Sequence, residues 1–201
     1  MYALVESGTI TKYFNHPKGF TLGDLQYPAD IFTKWSSSEL EAIGIHEVVF
    51  DNSNKKDEQW YINTNQSFAF ANNIVTASYG TATPKAHADT LFTAQDEIDG
   101  RGIEGELNVR GLKYNLIQTL KSQVANELSI TDWYITRNVE KSTAIPSSIS
   151  THRDAVRTKQ VQMETAITNA ADTVAIKTLH TYTTKDGVQS RPLGELPVLE
   201  S

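Results

Sequence analysis

One apolar stripe in the second half of the chain constrains its fold more than any other feature of the sequence. Apolar or weakly polar residues recur there at alternating steps of three and four, the spacing of one face of an α-helix. The positions are Ile149, His152, Val156, Gln160, Met163, Ile167, Ala170 and Val174. We expect a helix from about Ser148 to Ala171, opened by Pro146. Its stripe is heptad-like and narrow, which predicts packing against one or two partner helices.

Two further helices are expected before this one. Apolar residues recur at helical spacing over some five turns, at Val109, Leu112, Leu116, Ile117, Leu120, Val124 and Leu128, and predict an amphipathic helix. Asp132 then stands where it can cap a short helix from about Trp133 to Val139.

The first 80 residues follow a different pattern, that of short β-strands joined by tight turns. Strand-like runs flank Ser7-Gly8 and Asn72-Asn73, and both pairs are typical of hairpin turns. Ser36 and Glu39 form a capping-box pattern, and Gly44 supplies the stop of a helix about two turns long. This part of the chain predicts a small antiparallel β unit with one short helix.

The fold class expected from these patterns is therefore α+β. We divide the chain into a β-rich domain at residues 1–83, an acidic, glycine-containing linker at 84–108, a helical module at 109–180 and an extended tail at 181–201. Pro192 and Pro197 interrupt the tail, while Leu193 and Leu196 make it apolar. A frayed terminus and a docking peptide that orders on a neighbouring subunit both fit this composition.

Composition and charge narrow the classes of function. The chain has 201 residues, 39% of them hydrophobic, a net charge of −6 and no cysteine, so a packed core is expected and disulfides are excluded. No stretch approaches the ~20 apolar residues of a membrane span, and the first residues lack the layout of a secretory signal, so we expect synthesis in the cytosol and no membrane partner. Residues 109–160 carry eight Lys/Arg against four Asp/Glu, a balance of +4. Solvated helix faces explain this excess better than nucleic-acid binding, because aromatic residues are not interleaved with the charges.

No motif of the sequence supports catalysis, a cofactor or a metal. Residues 100–105 match the spacing of a dinucleotide-binding glycine loop, but an acidic stretch precedes them instead of a strand. A calcium loop with Gln95, Glu97, Asp99, Gly100 and Glu106 as ligands would lack its usual first aspartate, so an exposed linker is the favoured interpretation. The five histidines have no metal-ligand spacing, and His152 is expected to make a hydrogen bond or interface contact.

One pattern within residues 131–168 combines Thr131-Asp132-Trp133, Ala144-Ile145-Pro146, and Arg153 through Arg157. With this pattern the segment resembles a helical module of the phage tail assembly chaperone family and of the tail-fibre-associated proteins that share it. The opening of the chain, residues 1–10, 27–32 and 35–45, is similar to that of small phage virion proteins.

This resemblance implies a non-enzymatic structural protein of a bacteriophage tail, near the tail fibre or baseplate. Its partners would be other tail subunits and copies of itself, and its location the virion tail after synthesis in the host cytoplasm. The alternative is an assembly chaperone for tail or fibre polypeptides that is absent from the mature particle. No sequence feature separates a host-receptor contact from a connector role.

The side chains expected at subunit interfaces come from three groups: the aromatic start of the short helix, the arginines and the apolar stripe with its tail. They are Trp133, Tyr134, Arg137, Arg153, Val156, Arg157, Met163, Ile167, Leu193 and Leu196. Arg153 and Arg157 share a helix face, where Asp132, Glu140 or a partner's carboxylates could pair with them. Trp133 fits either a recognition surface or, more commonly, a ring that pins its helix to neighbouring elements.

Overall fold

The computed structural model of this chain describes residues 1–199, so the last two residues of the predicted tail lie outside the described residues. The chain divides into two compact units, Met1–Thr83 and Pro84–Ser201. Strands dominate the first unit and helices the second, so the predicted α+β class is confirmed.

The first unit is built on a five-stranded sheet with the strand order β2-β1-β5-β8-β7. Its strands are β1 (Tyr2–Glu6), β2 (Thr9–Phe14), β3 (Phe20–Leu22), β4 (Leu25–Tyr27), β5 (Ile45–Asp51), β6 (Tyr61–Ile62), β7 (Gln66–Ala71) and β8 (Ile74–Tyr79). Strands β3 and β4 form a separate antiparallel ribbon. Two short helices, α1 (Ile31–Lys34) and α2 (Ser37–Ala42), precede β5.

The two predicted hairpins are confirmed. Strand β1 pairs with β2 across Ser7-Gly8, and β7 pairs with β8 across Asn72-Asn73, where both asparagines have positive φ. The sheet is nevertheless mixed and not wholly antiparallel, because β5 and β8 are parallel. Alternating strand patterns carry no information about the direction of a non-local partner, so the sequence could not reveal this pairing.

Apolar side chains cover both faces of this sheet. On one face, the small residues Ala3 and Ala77 lie with Val48, Val75 and neighbouring aromatic rings. The two edge strands approach each other there, with the rings of Tyr13 and Phe68 4.7 Å apart, so the sheet is strongly curled. On the outer face of the curled sheet, a second core packs the strands against α1 and α2. Its buried members are Leu4, Phe14, Phe20, Ile31, Phe32, Leu40 and Ile45.

Helix α2 begins and ends as its sequence predicts. The Ser36 side chain accepts the Glu39 N–H, and the Glu39 carboxylate accepts the Ser36 N–H at 2.8 Å, completing the capping box. Gly44 follows with a φ of +79°, and a Cβ there would lie 2.5 Å from the Val5 carbonyl oxygen. Only glycine fits both conditions. A second short helix, α1, forms just before it and was not predicted.

The second unit begins with residues that the sequence assigns to a linker but that carry regular structure. After β9 (Thr83–Pro84) at the boundary, β10 (Thr90–Leu91) pairs with β11 (Leu107–Val109). Between them, α3 (Ala94–Ile98) starts at a Thr93–Asp96 capping box. Backbone hydrogen bonds from Phe92 N–H to Glu106 and from Gly105 N–H to Phe92 close this segment on itself.

The helical part comprises α4 (Leu112–Ser129), α5 (Asp132–Lys141), α6 (Ser147–Asn169) and α7 (Thr173–His180). Helix α4 packs along α6 in antiparallel fashion, since Lys113 near its start bonds the Thr168 carbonyl and Leu128 near its end lies against Arg153. The long helix is shorter than its stripe: it ends at Asn169, and Val174 is exposed on α7.

The C-terminal segment folds onto its own unit and is not wholly extended. It first forms a ribbon of β12 (Thr183–Lys185) and β13 (Val188–Ser190). The Leu193 N–H then donates to the Leu179 carbonyl, and the side chain of Leu193 is 5% exposed in the core between α4 and α6. Leu196 packs against the same core. Intramolecular burial therefore accounts for the leucines that the sequence had suggested for a docking peptide.

This packing predicts that the end of the chain stabilises the helical unit. Replacing Leu193 by Ala should lower the free energy of unfolding of the helical unit by about 3 kcal/mol. The loss combines the apolar surface that is no longer buried with the cavity left in the core. The matched change Val198→Ala, at a side chain that is 79% exposed, should cost no more than about 0.5 kcal/mol. Urea unfolding followed through the α6 amide signals measures both; equal effects would show that the tail does not support the core.

Candidate functional site

A buried arginine joins three helices of the second unit. The Arg153 side chain of α6 is enclosed, and its Nη1 lies 2.8 Å from the Leu128 carbonyl oxygen and 2.7 Å from the Thr131 Oγ1. The same nitrogen lies 2.9 Å from the Asp132 carboxylate. Carbonyls in the last turn of a helix lack intrahelical partners, so the guanidinium caps α4 while it holds the first residue of α5.

Thr131 completes this junction from the inside. It is almost fully buried, and its hydroxyl also donates to the Leu128 carbonyl at 3.0 Å. Thr131, Asp132 and Arg153 all belong to the pattern singled out in the sequence, and the fold gives all three a shared structural task. The expected Arg153–Asp132 pair is present, but Arg153 is too enclosed to face a partner subunit.

A second polar contact ties α6 to α4 one residue earlier. The His152 Nε2 lies 3.0 Å from the Glu127 Oε1, and both side chains are largely buried. The two groups are not aligned as a hydrogen bond, so the attraction is that of an ion pair when His152 is protonated. The predicted polar contact of His152 is thus made within the chain.

Helix α5 presents an aromatic and cationic surface to solvent. The Trp133 side chain is 51% exposed, and its ring centroid lies 3.8 Å from that of Tyr134. The Arg137 guanidinium lies over both rings, 4.7 Å from the Trp133 centroid and 5.5 Å from that of Tyr134. The interpretation of Trp133 as a core residue is therefore wrong, because half of its side chain is open to solvent.

Apolar side chains continue around the same helix. Ile135 and Val139 lie one turn apart and are exposed, Val139 to 78%. No residue of α5, all of which the structure describes, is buried. We name Trp133, Tyr134, Ile135, Arg137 and Val139 the α5 surface. Exposed large apolar groups gathered on one short helix are typical of binding sites, because a folded monomer gains nothing by displaying them together.

The structure places most of the other interface candidates inside the unit. Val156, Met163 and Ile167 are buried against Leu120 and Val124 of α4, so the partner helix that the stripe requires belongs to the same chain. These three residues, with Arg153 and Leu193, are unavailable to another subunit in this fold. Arg157 is exposed and lies 3.4 Å from the Asp154 carboxylate of its own helix.

Sequence reasoning missed several exposed apolar residues. Ile135 and Val139 follow the predicted aromatic pair in the chain, and their spacing of four residues could have shown that they share one helix face. A second set lies in the 90–109 segment, where the exposed side chains are Leu91, Ile98, Ile103, Leu107 and Val109.

The glycine-containing segment supports neither of the ligand sites considered for it. Gly100 to Gly105 follows helix α3 and belongs to no βαβ unit within residues 1–199. The Asp96 carboxylate accepts hydrogen bonds from Thr93, which hold its pKa below the usual value, and it lies 3.2 Å from Arg101. Among the described residues, no group of three or more His, Asp or Glu side chains could hold a metal ion.

No helix within residues 1–199 is long and apolar enough to cross a membrane.

Comparison with protein-family models, with curated proteins and with solved structures found no match for this chain.

The junction at Arg153 generates a prediction that separates two arginines on one helix. Arg153→Ala should lower the free energy of unfolding of the helical unit by about 2–3 kcal/mol, since its charged hydrogen bonds to Leu128 and Thr131 are lost and the buried side chain leaves a cavity. Arg157→Ala should change it by no more than about 0.5 kcal/mol, because its ion pair is exposed. Thermal and urea unfolding of the two variants test this; similar losses would mean that the buried guanidinium has no special role.

Proposed function

We propose that this protein is a non-enzymatic structural component of a bacteriophage tail, near the tail fibre or baseplate, that binds other subunits through the α5 surface. The observation that carries the proposal is the stack of the exposed Trp133 with the half-buried Tyr134 and Arg137, on a helix without buried residues. Tryptophan, tyrosine and arginine are the residues most enriched among those that dominate interface energies. The phage context comes from the resemblance of residues 131–168.

The α5 surface is well suited to binding because both ends of the helix are held. Its first residue, Asp132, is fixed by Arg153. Beyond its last residue, the Asn138 side-chain amide donates to the Thr143 carbonyl at 2.8 Å, and Pro146 starts the next helix. A binding helix that is already ordered loses little conformational entropy on association, so more of its contact energy appears as affinity.

The mechanism differs from the one that the sequence alone suggests. Subunit contacts were expected from the stripe of α6 and from the tail, but both are used inside the unit. The exposed helix α5 takes over this role, with Trp133 and Arg137 on one face and Ile135 and Val139 on nearly the opposite face. Symmetry-related copies would each present this helix to a neighbouring subunit.

Mass spectrometry of purified, salt-washed virions tests the tail role directly. Peptides from residues 109–177 should be present in fixed stoichiometry with a tail-tube subunit, because a structural component remains bound in the particle. Their absence from particles, together with abundance in infected-cell lysate, would contradict this role and favour a tail or fibre assembly chaperone. Such a chaperone could use the same α5 surface transiently.

The α5 surface itself can be tested by competition during assembly. When Trp133→Ala and the unchanged protein are produced together, the variant should be under-represented in particles, because loss of a central interface tryptophan costs about 2 kcal/mol or about 30-fold in affinity. Its unfolding should be almost unchanged, since the side chain is exposed.

The matched control is Tyr114→Ala. Tyr114 also lies under an arginine, Arg110 at 4.1 Å, but near the start of α4, at the opposite end of the α4–α6 pair from α5. It should be incorporated as well as the unchanged protein. If Trp133→Ala were incorporated into particles as well as the unchanged protein, the α5 surface would not be the binding surface.

A further inference from the structure

A cleft on the first unit is built from residues that the α5 surface does not involve. It lies between α2 and β5, on the outer face of the curled sheet, and has a volume of about 240 Å³. Pockets for small molecules and cofactors usually enclose about 300–1,000 Å³, so this cleft is of the size of one side chain.

The floor of the cleft is apolar and accessible. Helix α2 has six residues, and it covers Ile45 at the start of β5 but leaves Val49 53% exposed. Ile74, at the start of β8, is 50% exposed. The parallel register of β5 and β8 places Val49 and Ile74 on the same sheet face, where Leu40 of α2 completes the floor.

The walls of the cleft are acidic and aromatic. Glu41 of α2 and Glu47 of β5 line it, and Asn73 Nδ2 donates to Glu41 Oε2 at 2.7 Å, which orients that carboxylate. The rings of Tyr2 and Trp35 also line it, Tyr2 being the residue of β1 paired with Glu47. The described residues that line the cleft include neither lysine nor arginine.

The charge of the whole unit has the same sign as the cleft. Residues 1–83 contain nine Asp/Glu and five Lys/Arg, a balance of −4, and all of the chain's arginines lie beyond residue 100. A cation that approaches this unit is therefore attracted before it reaches the two carboxylates, and the attraction weakens as salt screens it.

We propose that this cleft binds a single basic side chain, arginine or lysine, of a partner polypeptide. The aliphatic stem of such a side chain would lie on Leu40, Val49 and Ile74, and its charged end would reach Glu41 and Glu47. Long basic side chains combine these two chemistries, because the stem is apolar while the head is a cation. Trp35 and Tyr2 would add cation–π contacts.

The test uses the full-length protein, labelled with ¹⁵N, and a short peptide with one central arginine between two leucines. We expect chemical-shift changes on addition of the peptide that are confined to the Trp35 indole and to the amides around Glu47 and Asn73. These changes should become smaller at high salt. The same peptide with glutamine in place of arginine should produce no such shifts.

Two variants make the result specific. Glu47→Gln should lower the affinity of the protein for the arginine peptide by about threefold, the size expected for one exposed ion pair. Glu6→Gln, an exposed change on β1, should leave its binding unaltered while spectra outside the cleft confirm both folds. Equal binding of the glutamine peptide, no effect of Glu47→Gln, or no shifts at millimolar arginine peptide would each overturn the proposal.

Self-association can be distinguished in the same experiment. If the cleft signals shift with protein concentration alone, the occupant is a basic side chain from a second copy, and the proposal of a different partner polypeptide is overturned. None of these outcomes depends on the α5 surface, because its residues are unchanged throughout.

Discussion

The packing of α6 along α4 is the contact on which the rest of the helical unit depends. It buries Val156, Met163 and Ile167 against Leu120 and Val124, and the chain returns to add Leu193 to the same core. The apolar stripe of α6 is narrow, so one antiparallel helix and a few residues of the C-terminal segment are enough to cover it. Because the stripe is satisfied within the chain, the exposed apolar groups elsewhere become the candidates for contact with other proteins.

The junction at Arg153 shows why charged residues that stand out in a sequence do not always form a binding site. Thr131, Asp132 and Arg153 look like surface residues in the sequence, since two of them are charged. In the fold, Thr131 and Arg153 donate to the Leu128 carbonyl where α4 ends, and the ion pair of Arg153 with Asp132 fixes the direction in which α5 leaves. A buried guanidinium without such acceptors would be destabilising, so its partners and its position must be retained together. The effect on function is indirect: this junction holds the helix that displays Trp133.

Local features of the fold were predictable from the sequence, and non-local ones were not. The Asn72-Asn73 turn and the Ser36 capping box are decided by neighbouring residues, so short-range rules predict them correctly. The parallel pairing of β5 with β8 depends on a choice among distant strands that have the same alternation of side chains. The start and end of α6 were close to those expected, but periodicity could not decide whether its partner helix belonged to the same chain or to another.

The candidate sites follow the same division. The stacking of Arg137 over Trp133 is a local, one-turn relation, and its residues could be singled out from their spacing. The cleft between α2 and β5 could not, because Glu41, Glu47 and Asn73 meet only when helix, strand and hairpin turn have packed. The two proposed sites also use different chemistry, one aromatic and one acidic, and they lie in different units. If both bind, each can engage a different partner surface, and two contacts of modest strength joined by one chain hold an assembly far more tightly than either does alone.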